Sequence, residues 1–301
     1  MKKSVLFGLL GAVVAGLNVP LSIFLLSLGA KPIFLAGITY LAMGASMGLV
    51  FLVLRLLKKD HEALLQGWDW LILGFINCLD TGANIMLFLG LAVLNGATAS
   101  LLQSFEVVAT ALIAYVLFKE RLSWRLILAI LLVVGASVLL SFNPAENFAF
   151  EPASLLILGT TICWGFTNNL GKKLSQKDPW EFGMMKGLGA GTIIGIIAAI
   201  MGHWGLDYRV YLVGFLDGAI AYGLSNVLLV LCFRKLSASL GTALYAANPF
   251  IGALFALIFY FKEPTWNFYV ALALLIVGEV FAAIDGIRQE KDAARFTADP
   301  S

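Results

Sequence analysis

The chain has 301 residues, 60% of them hydrophobic and 13% charged, with a mean hydropathy of +0.93. A soluble domain carries about 45–50% apolar and about 25% charged residues, so this composition excludes one and places the chain in a bilayer. The formal net charge is only +2, and no nucleic-acid partner is expected.

Ten apolar stretches follow one another at roughly 4–28, 33–54, 69–92, 97–118, 124–142, 153–171, 181–202, 210–233, 239–261 and 266–285. Each is near the ~20 residues that a spanning helix needs, and the short connections leave no soluble domain between them. The ~10-residue alternating segments of a membrane β-barrel are absent. The start, Met1-Lys2-Lys3 with small residues around Ala12 to Gly16, has the look of a cleavable leader. The apolar character continues past Gly16, however, and this stretch is read as the first span. Cys78, Cys163 and Cys232 fall inside spans without metal-ligand spacing and, being three, define no disulfide framework. Neither a metal nor a cofactor is expected.

The second and first halves share a plan. Residues 111–142 and 254–285 each read as an apolar helix, Phe-Lys-Glu, a Trp a few residues on, then an apolar helix carrying Val-Gly. Phe118-Lys119-Glu120 and Phe261-Lys262-Glu263 lie 143 residues apart, as do Gly135 and Gly278. Five helices per half is an odd number, so the second half enters from the opposite side. The expectation is an all-α membrane protein of ten transmembrane helices in two inverted five-helix repeats, 1–142 and 153–285, with a tail at 286–301. Such folds hold a substrate near the midplane between halves and alternate access by rocking one half against the other.

Basic residues set the orientation. With the N-terminus cytoplasmic, 16 Lys and Arg lie in the inside segments, against Lys31, Arg209 and Lys262 outside and Lys186 within a span. Both termini are therefore expected in the cytoplasm, at the plasma (inner) membrane.

An ionisable side chain in hydrocarbon costs roughly 2.5–3.5 kcal/mol on insertion scales, so each is a functional candidate. Asp80, Glu106, Lys186, Asp217 and Glu279 qualify. Asn77, Asp80, Thr81 and Asn84 recur at i, i+3, i+4 and i+7 and share one helical face. Ala99, Gln103, Glu106 and Thr110 make a similar face on the next helix, and the two stripes can meet across a hairpin at Asn95. Neighbouring Asp80 and Glu106 would repel unless one held a proton or a cation intervened, which is the requirement of a proton-coupled site. Plain interhelical hydrogen bonding is the competing reading for the amides and Thr81.

With an offset of 142, Asn226 aligns with Asn84, Tyr245 with Gln103 and Asn248 with Glu106, so the acids are not duplicated. Asp217 either lines an outer vestibule or pairs with a base. Glu279 is read as peripheral or as part of a dimer contact. Lys186 either snorkels to the headgroups or acts as counter-charge to Asp80, Glu106 or a substrate carboxylate. Gly183, Gly187, Gly191 and Gly195 on the same helix admit a close neighbour. Trp164, Tyr222 and Tyr245 offer aromatic walls, worth roughly 0.5–2 kcal/mol each against a cation.

In its doubled stretches the chain resembles the drug/metabolite transporter superfamily, specifically its EamA-type permeases. The matching segments are Ala97 to Ser123, with Phe105-Glu106-Val107 and Lys119-Glu120-Arg121-Leu122-Ser123, and Ser237 to Thr265, with Asn248-Pro249-Phe250 and Lys262-Glu263-Pro264. The helix starts Ala15-Gly16-Leu17-Asn18 and Cys163-Trp164-Gly165-Phe166-Thr167-Asn168-Asn169 fit as well. Val107 departs from the pattern, since the family often has there the proline that this chain keeps as Pro249, so a proline-induced helix break is expected in one half only. The resemblance implies ten helices, a central cavity lined by the first, third and fourth helices of each repeat, and export or exchange of small metabolites.

The expected function is therefore secondary active transport, as exporter or exchanger, of a small polar metabolite such as an amino acid or amine, by alternating access with protons as the candidate coupling ion. The expected pathway residues are Asn18, Asn77, Asp80, Asn84, Gln103, Glu106, Trp164, Asn168, Lys186, Asp217, Tyr222, Asn226, Tyr245 and Asn248. The partners are the lipid bilayer and the solute, with the chain a monomer or homodimer. A nucleotide-sugar carrier or lipid flippase of the same superfamily is the nearest alternative, although a phosphate-bearing cargo should meet more cations than Lys186. An intramembrane enzyme is disfavoured: His61 and His203 lie in loops on opposite faces, and no nucleophile–base or metal constellation exists.

Overall fold

Helices carry almost all of the chain, because in lipid every backbone N–H and C=O must be satisfied within the spanning segment. The computed structural model describes residues 2–57, 62–119, 123–144, 149–203, 207–260 and 264–298. The first half contains α1 (Lys2–Ala15), α2 (Asn18–Ser27), α3 (Pro32–Leu56), α4 (Asp69–Leu91), α5 (Gly96–Leu102), α6 (Phe105–Phe118) and α7 (Trp124–Leu140). A two-residue antiparallel ribbon, β1 (Phe142–Asn143) with β2 (Ala149–Phe150), leads into the second half. There follow α8 (Ala153–Leu174), α9 (Pro179–Ile200), α10 (Tyr208–Leu216), a π-helical segment (Asp217–Leu224), α11 (Ser225–Phe233), α12 (Ala238–Tyr245), α13 (Ala247–Tyr260) and α14 (Trp266–Ala298).

Among the described residues, eight helical stretches are long and apolar enough to cross a membrane, and Trp124–Leu140 is a shorter apolar helix. Eight rather than ten meet that test: α7 has 17 residues, and α8, at 22 residues, is less apolar because Thr160, Thr161, Thr167, Asn168 and Asn169 interrupt it. The tail expected at 286–301 begins as a continuation of α14, which runs on to Ala298.

Local chemistry sets the helix boundaries. Side chains that accept from first-turn N–H groups cap α5 (Asn95), α7 (Ser123), α9 (Asp178), α10 (Asp207) and α12 (Ser237), each worth about 0.5–2 kcal/mol relative to alanine. Proline opens α3 at Pro32 and α9 at Pro179, where its missing N–H is no loss. Helix α6 ends on Lys119, whose φ of 55° is left-handed. Glu120 and Phe261-Lys262-Glu263, the rest of the doubled motif, lie outside the described residues.

The proline-induced break falls in the second half only, as expected, yet the fourth span of each half is interrupted. In the second half Pro249 supplies no N–H to the turn before it, and the helix divides at Ala246 between α12 and α13. The first half has no proline there, yet it divides at Gln103–Ser104. Gln103 and Ser104 donate to Ser100 and Leu101, and Glu106 and Val107 to Gln103 and Ser104. These i to i−3 bonds tighten the chain into a 3₁₀-like turn that does the work of the proline.

Glycines let helix backbones approach each other closely. Helices α3 and α9 cross at Gly44 and Gly187, where a Cβ on Gly187 would lie 2.3 Å from the Gly44 nitrogen. Helix α7 packs on α14, α4 on α8, α1 on α11, and α5 on α13. One end of the bundle is held by charges: Lys177 Nζ lies 2.8 Å from Asp69 Oδ2, Arg55 pairs with Asp178, and Arg234 pairs with Glu62.

Candidate functional site

The helix interruptions converge on one cavity. The α1–α2 turn at Gly16–Leu17 brings Asn18 to its wall, the α5–α6 turn brings Gln103 and Glu106, and the α12–α13 turn brings Tyr245 and Asn248. Helix α8 contributes Trp164, Thr167 and Asn168, α9 contributes Lys186, and the π-helical segment with α11 contributes Tyr222, Ser225 and Asn226. The cavity is about 70 Å³. At roughly 15 Å³ per water by that measure it holds a handful of waters, far less than the ~300–1,000 Å³ of a ligand pocket.

Two polar clusters bound it. In the first, Asn168 Nδ2 donates to Glu106 Oε1 at 2.5 Å and lies 3.4 and 3.3 Å from Thr110 Oγ1 and Thr242 Oγ1. Four side chains from α6, α8 and α12 thus meet at one amide, with Glu106 8% exposed. In the second, Lys186 Nζ lies 3.2 Å from Asp80 Oδ2, with Asp80 wholly buried behind the cavity wall. Both members of this pair are within electrostatic reach of Glu106. Asp80 and Glu106 are therefore not a bare carboxylate pair: one faces an ammonium and the other an amide.

An aromatic wall closes the side formed by α3 and the π-helical segment. The Tyr40 and Tyr222 rings meet edge to face at 5.4 Å. The Tyr222 hydroxyl donates to Asn84 Oδ1 at 3.1 Å, and Asn84 Nδ2 donates to the Ala36 carbonyl at 2.8 Å. Asn84 thus holds the wall from behind.

Of the residues expected in the pathway, Asn18, Gln103, Glu106, Trp164, Asn168, Lys186, Tyr222, Asn226, Tyr245 and Asn248 line the cavity. Asp80 and Asn84 stand behind lining residues. Asn77 faces elsewhere: its amide rests on Gly189, where a Cβ would lie 2.0 Å away, and reaches the Met185 carbonyl at 3.4 Å. Asp217 is wholly buried beside Ser22, off the cavity, so it neither lines a vestibule nor meets a base among the described residues. Lys186, 8% exposed, turns inward to Asp80 rather than out to the headgroups. Glu279, read as peripheral, is 7% exposed on α14, beside Ser104 and within electrostatic reach of Glu106.

Sequence reasoning missed Tyr40, Met43, Thr167 and Ser225 in the lining. Thr167 directly precedes Asn168 and Ser225 directly precedes Asn226, so their adjacency to selected amides was a usable signal. Tyr40 and Met43 sit in an apolar helix with no polar stripe, and nothing in the sequence marked them.

A bundle of long apolar helices, interrupted where they meet around a polar cavity lined from both halves of the chain, defines an integral membrane protein. The sequence profile of the EamA-like transporter family matches residues 2–142 and 152–284, and the chain belongs to that family. It is similar to an uncharacterized transporter of Methanothermobacter thermautotrophicus, 30% identical over 69% of this chain and 62% of that protein. It is also 26% identical, over 73% of this chain and 46% of that protein, to an uncharacterized solute carrier family 35 member of Schizosaccharomyces pombe. The chain thus spans about three fifths and about half of the lengths of these relatives. A solved crystal structure shares the fold, with a TM-score of 0.72 at 19% identity over 96% of this chain and 99% of the other.

Proposed function

We propose that this transporter moves a small zwitterionic or cationic solute, of the amino-acid or amine class, by alternating access, as an exporter or exchanger coupled to protons at Glu106. The observation that carries the reading is the cavity wall: one carboxyl, several amides, four aromatic side chains and one ammonium. An ammonium group on the solute fits the Glu106 carboxyl and the faces of Trp164, Tyr222 and Tyr245, and a carboxylate fits Lys186. A nucleotide-sugar is the less favoured cargo, since Lys186 is the one cation lining the cavity among the described residues and already faces Asp80.

The ten-helix, inverted-repeat arrangement is part of this proposal. It is supported by the two stretches matched to one family profile, by the fourth-span breaks at Gln103 and Ala246, and by the N-caps Asn95 and Ser237, which share the 142-residue offset. The charge asymmetry supports cytoplasmic termini at the inner membrane. A thermal-shift screen of purified protein against amino acids, amines, sugars and nucleotide-sugars tests the cargo, because a ligand that binds only the folded state raises its melting temperature by mass action. Stabilisation by nucleotide-sugars alone would replace this reading with the alternative.

A further inference from the structure

Asp217 opens the π-helical segment and is wholly buried, and its Oδ1 has no hydrogen-bond partner. No cation pairs with it among the described residues. The segment packs against α1, α2, α3, α10 and α11. Of the titratable groups on these elements and its own, the Tyr222 hydroxyl is the one in electrostatic contact with Asp217, and Tyr40 lies beyond it against the Tyr222 ring. Lys3 is exposed at the start of α1, Arg209 lies over Tyr208 at the start of α10, and Arg55 faces Asp178 and Phe51 at the end of α3.

The partner that Asp217 does have is Ser22. The Ser22 hydroxyl lies 3.0 Å from Asn18 Oδ1 and 3.4 Å from Asp217 Oδ2. A hydroxyl has one proton to give and lone pairs to receive with, so it cannot donate to both oxygens at once. A carboxylate would draw that proton, since charge-assisted bonds are the shorter and stronger ones. The observed order is the reverse, with the neutral amide closer. It is satisfied when Asp217 carries a proton on Oδ2 and donates it to Ser22, and Ser22 donates in turn to Asn18. The chain of three then runs in one direction from Asp217 to a residue of the cavity wall.

We propose that Asp217 is a proton-binding site outside the cavity, and that the Ser22 hydroxyl transmits its occupancy to Asn18. When the proton leaves Oδ2, the Ser22 hydroxyl turns to the carboxylate and releases Asn18 Oδ1, freeing an acceptor in the wall. The backbone suits a moving element. A π-helical turn is held by i to i+5 bonds and recurs at functional sites, and Gly218 lets it lie on α3, where a Cβ would come 2.1 Å from the Thr39 carbonyl. The inference goes beyond the Glu106 reading and requires neither that site nor the identity of the cargo.

Infrared spectroscopy tests it on the full-length protein in lipid, at neutral pH in KCl, with carbon-13 aspartate to separate aspartic from glutamic acid bands. The wild type should show a protonated aspartic acid carbonyl band that is lost in Asp217→Asn and retained in Glu106→Gln. Ser22→Ala should shift that band by removing its hydrogen-bond partner, and Asn18→Ala should shift it in the same direction by a smaller amount, since chained hydrogen bonds polarise one another. A wild type without the band, or a band unchanged in Asp217→Asn or in Ser22→Ala, overturns the proton site. A band unmoved in Asn18→Ala overturns the link to the cavity. Loss of the band when NaCl replaces KCl at constant pH assigns the site to a monovalent cation instead.

Discussion

Lys186 on α9 reaches across to Asp80 on α4, placing an ammonium 3.2 Å from a carboxylate that has no solvent exposure. A buried pair of this kind is costly to split, because removing one partner leaves the other charged and unmatched in a medium that cannot solvate it. The pair therefore fixes the depth and rotation of α9 relative to α4, and with them the cavity wall.

Losing both halves of that pair should cost less than the two separate losses added together. Lys186→Met and Asp80→Asn are each expected to cost about 3–5 kcal/mol, and the double variant less than the sum. Thermal unfolding in detergent measures the cycle. Additive costs would mean that the two side chains do not act together.

Glu106→Gln keeps the shape of the side chain and its contact with Asn168 but holds no exchangeable charge. Flux in proteoliposomes should lose its pH dependence and its proton-driven accumulation, while counterflow of bound solute persists. A pH profile unchanged from the wild type would reduce Glu106 to a packing role.

The glycine stripe on α9 should be unequal in its tolerance. An added methyl on Gly187 meets Gly44 backbone at 2.3 Å, whereas on Gly195 the nearest atom is the Leu41 Cδ1 at 3.7 Å. Gly187→Ala should destabilise by about 1–3 kcal/mol or more, and Gly195→Ala should be neutral or stabilising by up to about 1 kcal/mol, because alanine is the better helix former. Melting temperatures of the two variants, measured side by side, decide this.

Topology is open to labelling at the two ends of α4, where Gln66 and Val93 are exposed. On a background lacking Cys78, Cys163 and Cys232, an impermeant thiol reagent added to intact cells should modify Val93→Cys and spare Gln66→Cys. The opposite pattern would invert the orientation inferred from the basic residues.

How much of this was legible in the sequence depended on whether the determinant is local. Hydropathy located the helices and the doubled segments marked two halves, because length and period are properties of a short stretch. The polar stripe on the third span was also visible. Its outcome was not: Asp80 and Asn84 support the cavity from behind, while Asn77, on the same stripe, turns to Gly189 and leaves it. Which members of a stripe face the cavity depends on how far α4 is rotated against α8 and α9, and that is set by close packing between helices distant in sequence. The same reason explains why Asn168 meets Glu106, why Tyr40 lines the cavity from an unmarked apolar helix, and why Ser22 joins Asp217 to Asn18. Sequence chose the ionisable residues that a membrane tolerates only for cause, and tertiary packing decided their partners, since a side-chain contact across helices is a matter of relative depth and rotation that no single segment encodes.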